Sequence, residues 1–174
     1  MRLSALTATI AATLLTSAPL HAKDAKDVLM PEDPQGLAFQ NAVGFADAVI
    51  ADDTVYLSGV VASPNPGETD LKPAYERAFA RIGRTLERAG VGWDDVVDLT
   101  TFHTDLAAQI NDFAEVKSRY IKAPFPAWTA IGIAALYEPI GVVEIKIVAQ
   151  RAGDGEAIVA RLDKVRVEST EQAR

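Results

Sequence analysis

The run GVVEIKIVAQ, Gly141 to Gln150, alternates with a period of two. Val143, Ile145, Ile147 and Ala149 fall on one side of an extended chain, and Glu144, Lys146, Val148 and Gln150 on the other, because successive strand side chains point to opposite faces. A strand of this kind has one face in a core. A second extended run, Ala127 to Ile133, lies upstream of it, beyond a Tyr137-Glu-Pro-Ile-Gly141 turn. There Ile131 and Ile133 align with Ala127 and Thr129, while Trp128, Ala130 and Gly132 take the opposite side. With the isoleucines set against helices, Trp128 and Glu144 share the face away from them. An indole on that face needs a second subunit as cover, which predicts an oligomer.

Upstream, Ala48-Val-Ile50, an Asp52-Asp53 turn and Thr54 to Val61 read as a β-hairpin, followed by a loop at Ser63-Pro-Asn-Pro-Gly67. From Leu71 to Ala89, Tyr75, Phe79, Ile82 and Leu86 recur at steps of four, three and four. They form one face of an amphipathic helix that Gly90 stops. Arg77, Arg81, Arg84 and Arg88 lie off that face, interleaved with Glu76 and Glu87, and read as a solvated surface. Val96 to Phe102 reads as a strand. A second helix, capped by Asn111 or Asp112, turns Ile110, Phe113, Val116 and Tyr120 inward and ends before Pro124. The order β-β-α-β-α-β-β gives an α+β fold, a single sheet with two helices packed on one face. The other face needs cover unless it is polar.

The ends of the chain differ in character. Residues 1–22 have an early cation, Arg2, then an apolar and small-residue run, then Ala22, and read as a secretory signal peptide. The run from Leu3 to Leu15 is shorter than the roughly 20 apolar residues a membrane-spanning helix needs. The expected location is therefore periplasmic or secreted, with no stable membrane association after cleavage. Residues 23–40 are charged, hold two prolines and read as an N-terminal arm. Residues 41–151 form the one expected domain, and 152–174 a polar C-terminal tail with a short helix near 157–165.

The chain has 17 Lys and Arg against 24 Asp and Glu, a net charge of −7, so its surface repels phosphate backbones and no nucleic-acid partner is expected. There is no cysteine, which removes disulfides, thiolate catalysis and Cys-ligated metal. His21 leaves with the signal, so His103 is the remaining imidazole and no multi-histidine metal site can be built. His103 reads as a structural, half-buried or surface residue. No metal or other cofactor is implied.

Several stretches together resemble a known family: Gly44-Phe45, Thr54-Val-Tyr-Leu-Ser-Gly59, Asp95-Val-Val97, Thr101-Phe102, Thr104-Asp-Leu106, Asn111-Asp-Phe-Ala114, Phe125-Pro-Ala127 and Val143-Glu-Ile145. In this order, from Gly44 to Arg151, they are similar to the Rid (YjgF/RidA) family. The resemblance implies a chorismate-mutase-like α+β fold and a homotrimer with pockets at the subunit interfaces. It also implies hydrolysis of reactive enamines and imines such as 2-aminoacrylate. An arginine after Phe-Pro-Ala holds the substrate carboxylate in those relatives, and here that position is Trp128. Phe45 stands where they have a tyrosine, Lys117 where they have an asparagine and Ala130 where they have a small polar or sulfur residue. Ser58 and Gly59 remain, offering hydroxyl and backbone N–H groups. So does Glu144, which the resemblance assigns to positioning the attacking water.

Each candidate carries a plainer reading. Trp128 is interface packing or a pocket wall; with Phe45 it would favour an aromatic or cationic small molecule over a small carboxylate. Glu144 is a general base or a surface carboxylate paired with Lys146 or Lys117. Lys117 is a solvated lysine or a point charge replacing the guanidinium. Two functions follow: an imine or enamine hydrolase with weak or no 2-aminoacrylate activity, or a non-catalytic ligand-binding module of the cell envelope. A nuclease rests only on the family's older name, and the acidic balance and lone histidine oppose it.

Overall fold

The GVVEIKIVAQ run is the spine of the sheet. In a computed structural model, which describes residues 26–151, it forms β7 (Val143–Gln150) and pairs antiparallel with β3 (Thr54–Leu57), β4 (Val60–Ala62) and β5 (Val96–His103). Its valine, isoleucines and alanine are all buried, as the alternation requires. The hairpin is present as β2 (Ala48–Ala51) paired with β3, and Asp52 at its turn takes a left-handed φ of 53°. The edge strand β6 (Ala127–Gly132) runs parallel to β5. Parallel neighbours need a crossover, and α3 (Leu106–Tyr120) supplies it. With β1 (Asp27–Leu29) at one edge, the full order is β1-β2-β3-β7-β5-β6, with β4 beside β7.

α2 (Lys72–Arg88) and α3 pack together on one face. Tyr75, Phe79, Ile82 and Leu86 of α2 and Phe113 and Val116 of α3 are fully buried against the sheet. Phe79 stacks on Tyr120 at 4.9 Å between ring centroids and touches Trp93 at 5.7 Å and Phe113 at 5.6 Å. This aromatic cluster locks the two helices to each other. Gly90, with φ of 75°, ends α2 as expected.

Three local expectations are corrected. The described part of the expected arm is ordered structure. Residues Asp27–Leu29 form β1, antiparallel to β2, and Pro34–Val43 form α1, a third helix. Asp33 caps α1 by accepting from the Gly36 N–H at 2.7 Å, and Pro34 sits where a helix tolerates proline. α3 starts before Asn111, because the Asp105 carboxylate accepts from the Ala108 N–H and caps the helix there. The stretch read as one strand, Thr54 to Val61, is broken at Ser58-Gly59 into β3 and β4. The expected signal, residues 1–22, the tail 152–174 and the helix near 157–165 lie outside the described residues.

Candidate functional site

The sheet separates the candidate residues into two groups. β5 pairs Leu99 with Trp128 and Thr101 with Ala130, and Leu99, Thr101 and His103 are all buried on the helix side. Trp128, Ala130 and Gly132 therefore face the helices, and Ala127, Thr129 and Ile131 face away. This reverses the sequence expectation. Ile131 is left 39 % exposed on the outer face, while the indole packs against Phe113 of α3 at 6.1 Å. On an edge strand neither side is fully covered, so hydrophobicity alone did not fix which side points inward. The argument for an oligomer from an outward Trp128 falls with that face assignment.

Trp128 stays 36 % exposed at the sheet edge. Its Nε1–H donates to Thr101 Oγ1 at 3.1 Å, and Lys117 Nζ lies 3.9 Å from the ring centroid. The ring face expected to receive a cationic ligand thus carries the chain's own ammonium. Neighbouring cations have carboxylates: Lys72 meets Glu115 and Asp112, and Arg119 meets Glu76 and Glu115. Lys117 has none among the described residues. Burial pushes its pKa below the ordinary 10.5, while the indole face favours the charged form by about 0.5–2 kcal/mol. The result is a partly desolvated ammonium held by an aromatic ring, with its carboxylate position open.

Glu144 lies on the opposite, outer face, in register with Phe102 of β5 and Val61 of β4. Tyr56 is opposite Val148 and Val60 opposite Ile145, so four steps along one strand meet three along the other. That extra residue is a β-bulge at Ser58-Gly59, a device that re-aims a strand. The Glu144 side chain folds over Gly59. A Cβ there would lie 2.6 Å from Glu144 Cδ and 2.8 Å from its Cγ, so only glycine admits the carboxylate. Ser58 is half-buried, and its N–H, expected to be on offer to a ligand, donates to the Asp47 carbonyl at 3.0 Å.

Phe45 follows Gly44, which ends α1 with φ of 88°, and its ring meets Phe39 edge-on at 6.0 Å. Two residues later the Asp47 carboxylate accepts from Gln40 Nε2 at 2.8 Å and from Arg88 at 3.2 Å, and Arg81 lies 3.6 Å away. Arg88 also donates to the Met30 carbonyl. The arginine-rich helix is thus partly spent on tying α1 and β1 to α2. Arg77 is held by Glu68, whose carboxyl it pulls down to about 2. A depression of about 180 Å³ between β4 and α2, lined by Ser63, Arg77, Arg81 and Glu138 among others, touches none of the candidate residues.

Sequence reasoning missed the support beneath Trp128. Thr101, His103 and Gln109 are buried polar residues. Thr101 Oγ1 lies 3.0 Å from His103 Nε2, His103 packs edge-on to Phe113 at 5.2 Å, and Gln109 Nε2 donates to Thr104 Oγ1 at 3.1 Å. The signal was available: Leu99, Thr101 and His103 alternate, so an inward leucine carries the other two inward. Among the described residues no group of three or more His, Cys, Asp and Glu is placed to hold a metal ion, and no helix is long and apolar enough to cross a membrane.

A family model described as Endoribonuclease L-PSP matches residues 36–151. The RutC family protein YjgH of Escherichia coli (strain K12) is 37 % identical over 95 residues, covering 53 % of this chain and 72 % of that protein. The 2-iminobutanoate/2-iminopropanoate deaminase of Homo sapiens is 35 % identical over 117 residues, covering 62 % and 81 %. Among solved structures, protein YJGH aligns with a TM-score of 0.62 at 30 % identity, over 72 % of this chain and 96 % of that one. Rv2704 of Mycobacterium tuberculosis, described as a member of the YjgF/YER057c/UK114 family, aligns at 0.63 and 25 % identity, over 72 % and 99 %.

Proposed function

Because the chain belongs to the Endoribonuclease L-PSP (YjgF/RidA/RutC) family, we propose that it is an exported homotrimer that binds a small molecule between subunits and hydrolyses an enamine or imine there. The observation that carries this reading is the Glu144 carboxylate seated over the Gly59 bulge on the outer face of the sheet. Around it lie Tyr56, Val61, Phe102, Ile131 and Val148, an apolar surface that no helix among the described residues covers. A second copy covers it. The edge strand β6, with Trp128 and Lys117 beside it, meets the outer face of the next copy, and the cleft combines groups that one chain keeps on opposite faces.

In that cleft Glu144 orients water toward the C=N carbon and takes its proton, a role that contributes about 10² to 10⁴ in rate. The water oxygen bonds to that carbon, and the nitrogen departs as ammonia once protonated, leaving a carbonyl compound. Phe45 and Trp128 form flat walls, and the Lys117 ammonium replaces a guanidinium as a single point charge. Lacking the two-pronged geometry of arginine, the site handles 2-aminoacrylate weakly. A cationic ligand is disfavoured by Lys117, so the ligand is flat and neutral or acidic.

The test pairs mass and turnover. Light scattering on the purified protein should give three chains per particle. Glu144→Gln should lower keto-acid release from enzymatically generated 2-iminobutanoate by about 10²-fold or more, with little change in KM. A monomer, or a variant with undiminished turnover, refutes the reading. The self-contained Lys117–Trp128 pair favours a second reading, a binding module without turnover. Under it ligands bind, and neither the wild type nor Glu144→Gln accelerates hydrolysis.

A further inference from the structure

The polar groups under Trp128 can be ordered by donor and acceptor. Indole Nε1–H only donates, so Thr101 Oγ1 is the acceptor of that bond. The single Thr101 hydroxyl proton then has two candidates, His103 Nε2 at 3.0 Å and the Thr129 carbonyl at 3.4 Å, and the shorter contact is the imidazole. If Thr101 donates, His103 Nε2 accepts and the ring proton sits on Nδ1. Nδ1 is buried without a partner, and so is the Oε1 of Gln109. A donor on Nδ1 and an acceptor on Oε1 are complementary; the opposite tautomer would leave two buried acceptors and no donor between them. Beyond Gln109 the direction holds, because Gln109 Nε2 donates to Thr104 Oγ1 and Thr104 donates to the Val142 carbonyl at 3.1 Å.

We infer that Thr101 and His103 are positioning residues for the recognition wall: hydrogen bonds running one way from Trp128 through Thr101 to His103 fix the indole where Lys117 can cap it. Each member of such a chain polarises the next, so the orientation is held more firmly than by separate bonds. Thr101 and His103 lie on β5, which pairs with β7, the strand that carries Glu144. The inference rests on Trp128 lining the cleft for its functional meaning, but the chain itself is testable without a ligand.

Trp93 and Trp128 give two indole N–H signals by proton–nitrogen NMR among the described residues, assigned with Trp93→Phe. In Thr101→Val, which keeps shape and loses the hydroxyl, the Trp128 signal should move upfield and exchange with solvent at least tenfold faster, while Thr101→Ser restores both. Independently of any variant, the ring nitrogens of His103 in the wild type should show the Nδ1–H tautomer. An unmoved Trp128 signal in a folded Thr101→Val, or the Nε2–H tautomer in the wild type, overturns the inference. Titrating 2-oxobutanoate against the same signal separates the two ideas. A silent titration with the wild-type chain intact removes the pocket role of Trp128 and leaves the positioning role standing.

Discussion

Replacing Gly59 by alanine tests the placement of Glu144 with one methyl group. The new Cβ would stand 2.6 Å from Glu144 Cδ and 2.8 Å from Cγ. Carbon atoms rest at about 3.5–4.0 Å, and Glu144 Oε1 would meet the new methyl more closely still, so the carboxylate must withdraw by at least about 1 Å. The clash is with the far part of a flexible side chain, so the fold absorbs it, and the stability change should stay within about 1 kcal/mol. A catalytic group moved by about 1 Å can lose about 10² in rate. The assay is 2-oxobutanoate release from enzymatically generated 2-iminobutanoate, with a thermal melt on the same sample and Glu144→Gln as reference. Gly59→Ala should approach the reference in turnover while melting like the wild type. Undiminished turnover at an unchanged melting temperature would show that the carboxylate position is irrelevant to the chemistry and refute the argument.

The double variant Trp128→Arg, Lys117→Asn restores a guanidinium and removes the neighbouring like charge; pyruvate release from 2-aminoacrylate should rise at least about tenfold, as expected for a bidentate carboxylate contact. Burial pushes the His103 pKa below its ordinary 6.5, so its contribution to stability is full above about 6.5 and is lost as pH falls toward the folded value. The melting temperature of the wild type should therefore drop between pH 7 and pH 5, and more steeply than that of His103→Gln. Phe79→Ala removes the centre of the aromatic cluster and should cost about 3–5 kcal/mol in a urea titration. Export can be read by sequencing the amino terminus of protein recovered from a periplasmic extract, where residues 1–22 should be missing.

Much of the fold was legible where one periodicity dominates. In β7 every second residue is apolar and buried, and in α2 the stripe from Tyr75 to Leu86 is the buried face. Legibility failed where covering is partial. In β6 the choice of face is made by a hydrogen bond to Thr101 and by contact with Phe113, against the pull of the isoleucines. The segment 26–40 was opaque because α1 leaves Leu37, Phe39 and Val43 exposed and so shows no buried stripe. The start of α3 was misplaced because Asp105 offers a cap as good as Asn111 or Asp112, and capping oxygen alone does not say which one reaches an N–H. The candidate residues were found through the family likeness. Their distribution over two faces was not, since it depends on strand register.

Phe45 sits between the left-handed turn at Gly44 and Asp47, the carboxylate on which Gln40 and Arg88 converge. The chain on either side of this ring is moored, so the position of the ring is set by the fold before any ligand arrives in the proposed cleft. Shape selection at the proposed wall should accordingly resemble a rigid mould rather than a closing hand. In the proposed cleft, loosening the Asp47 carboxylate, two residues further along the chain, should blunt discrimination among ligands.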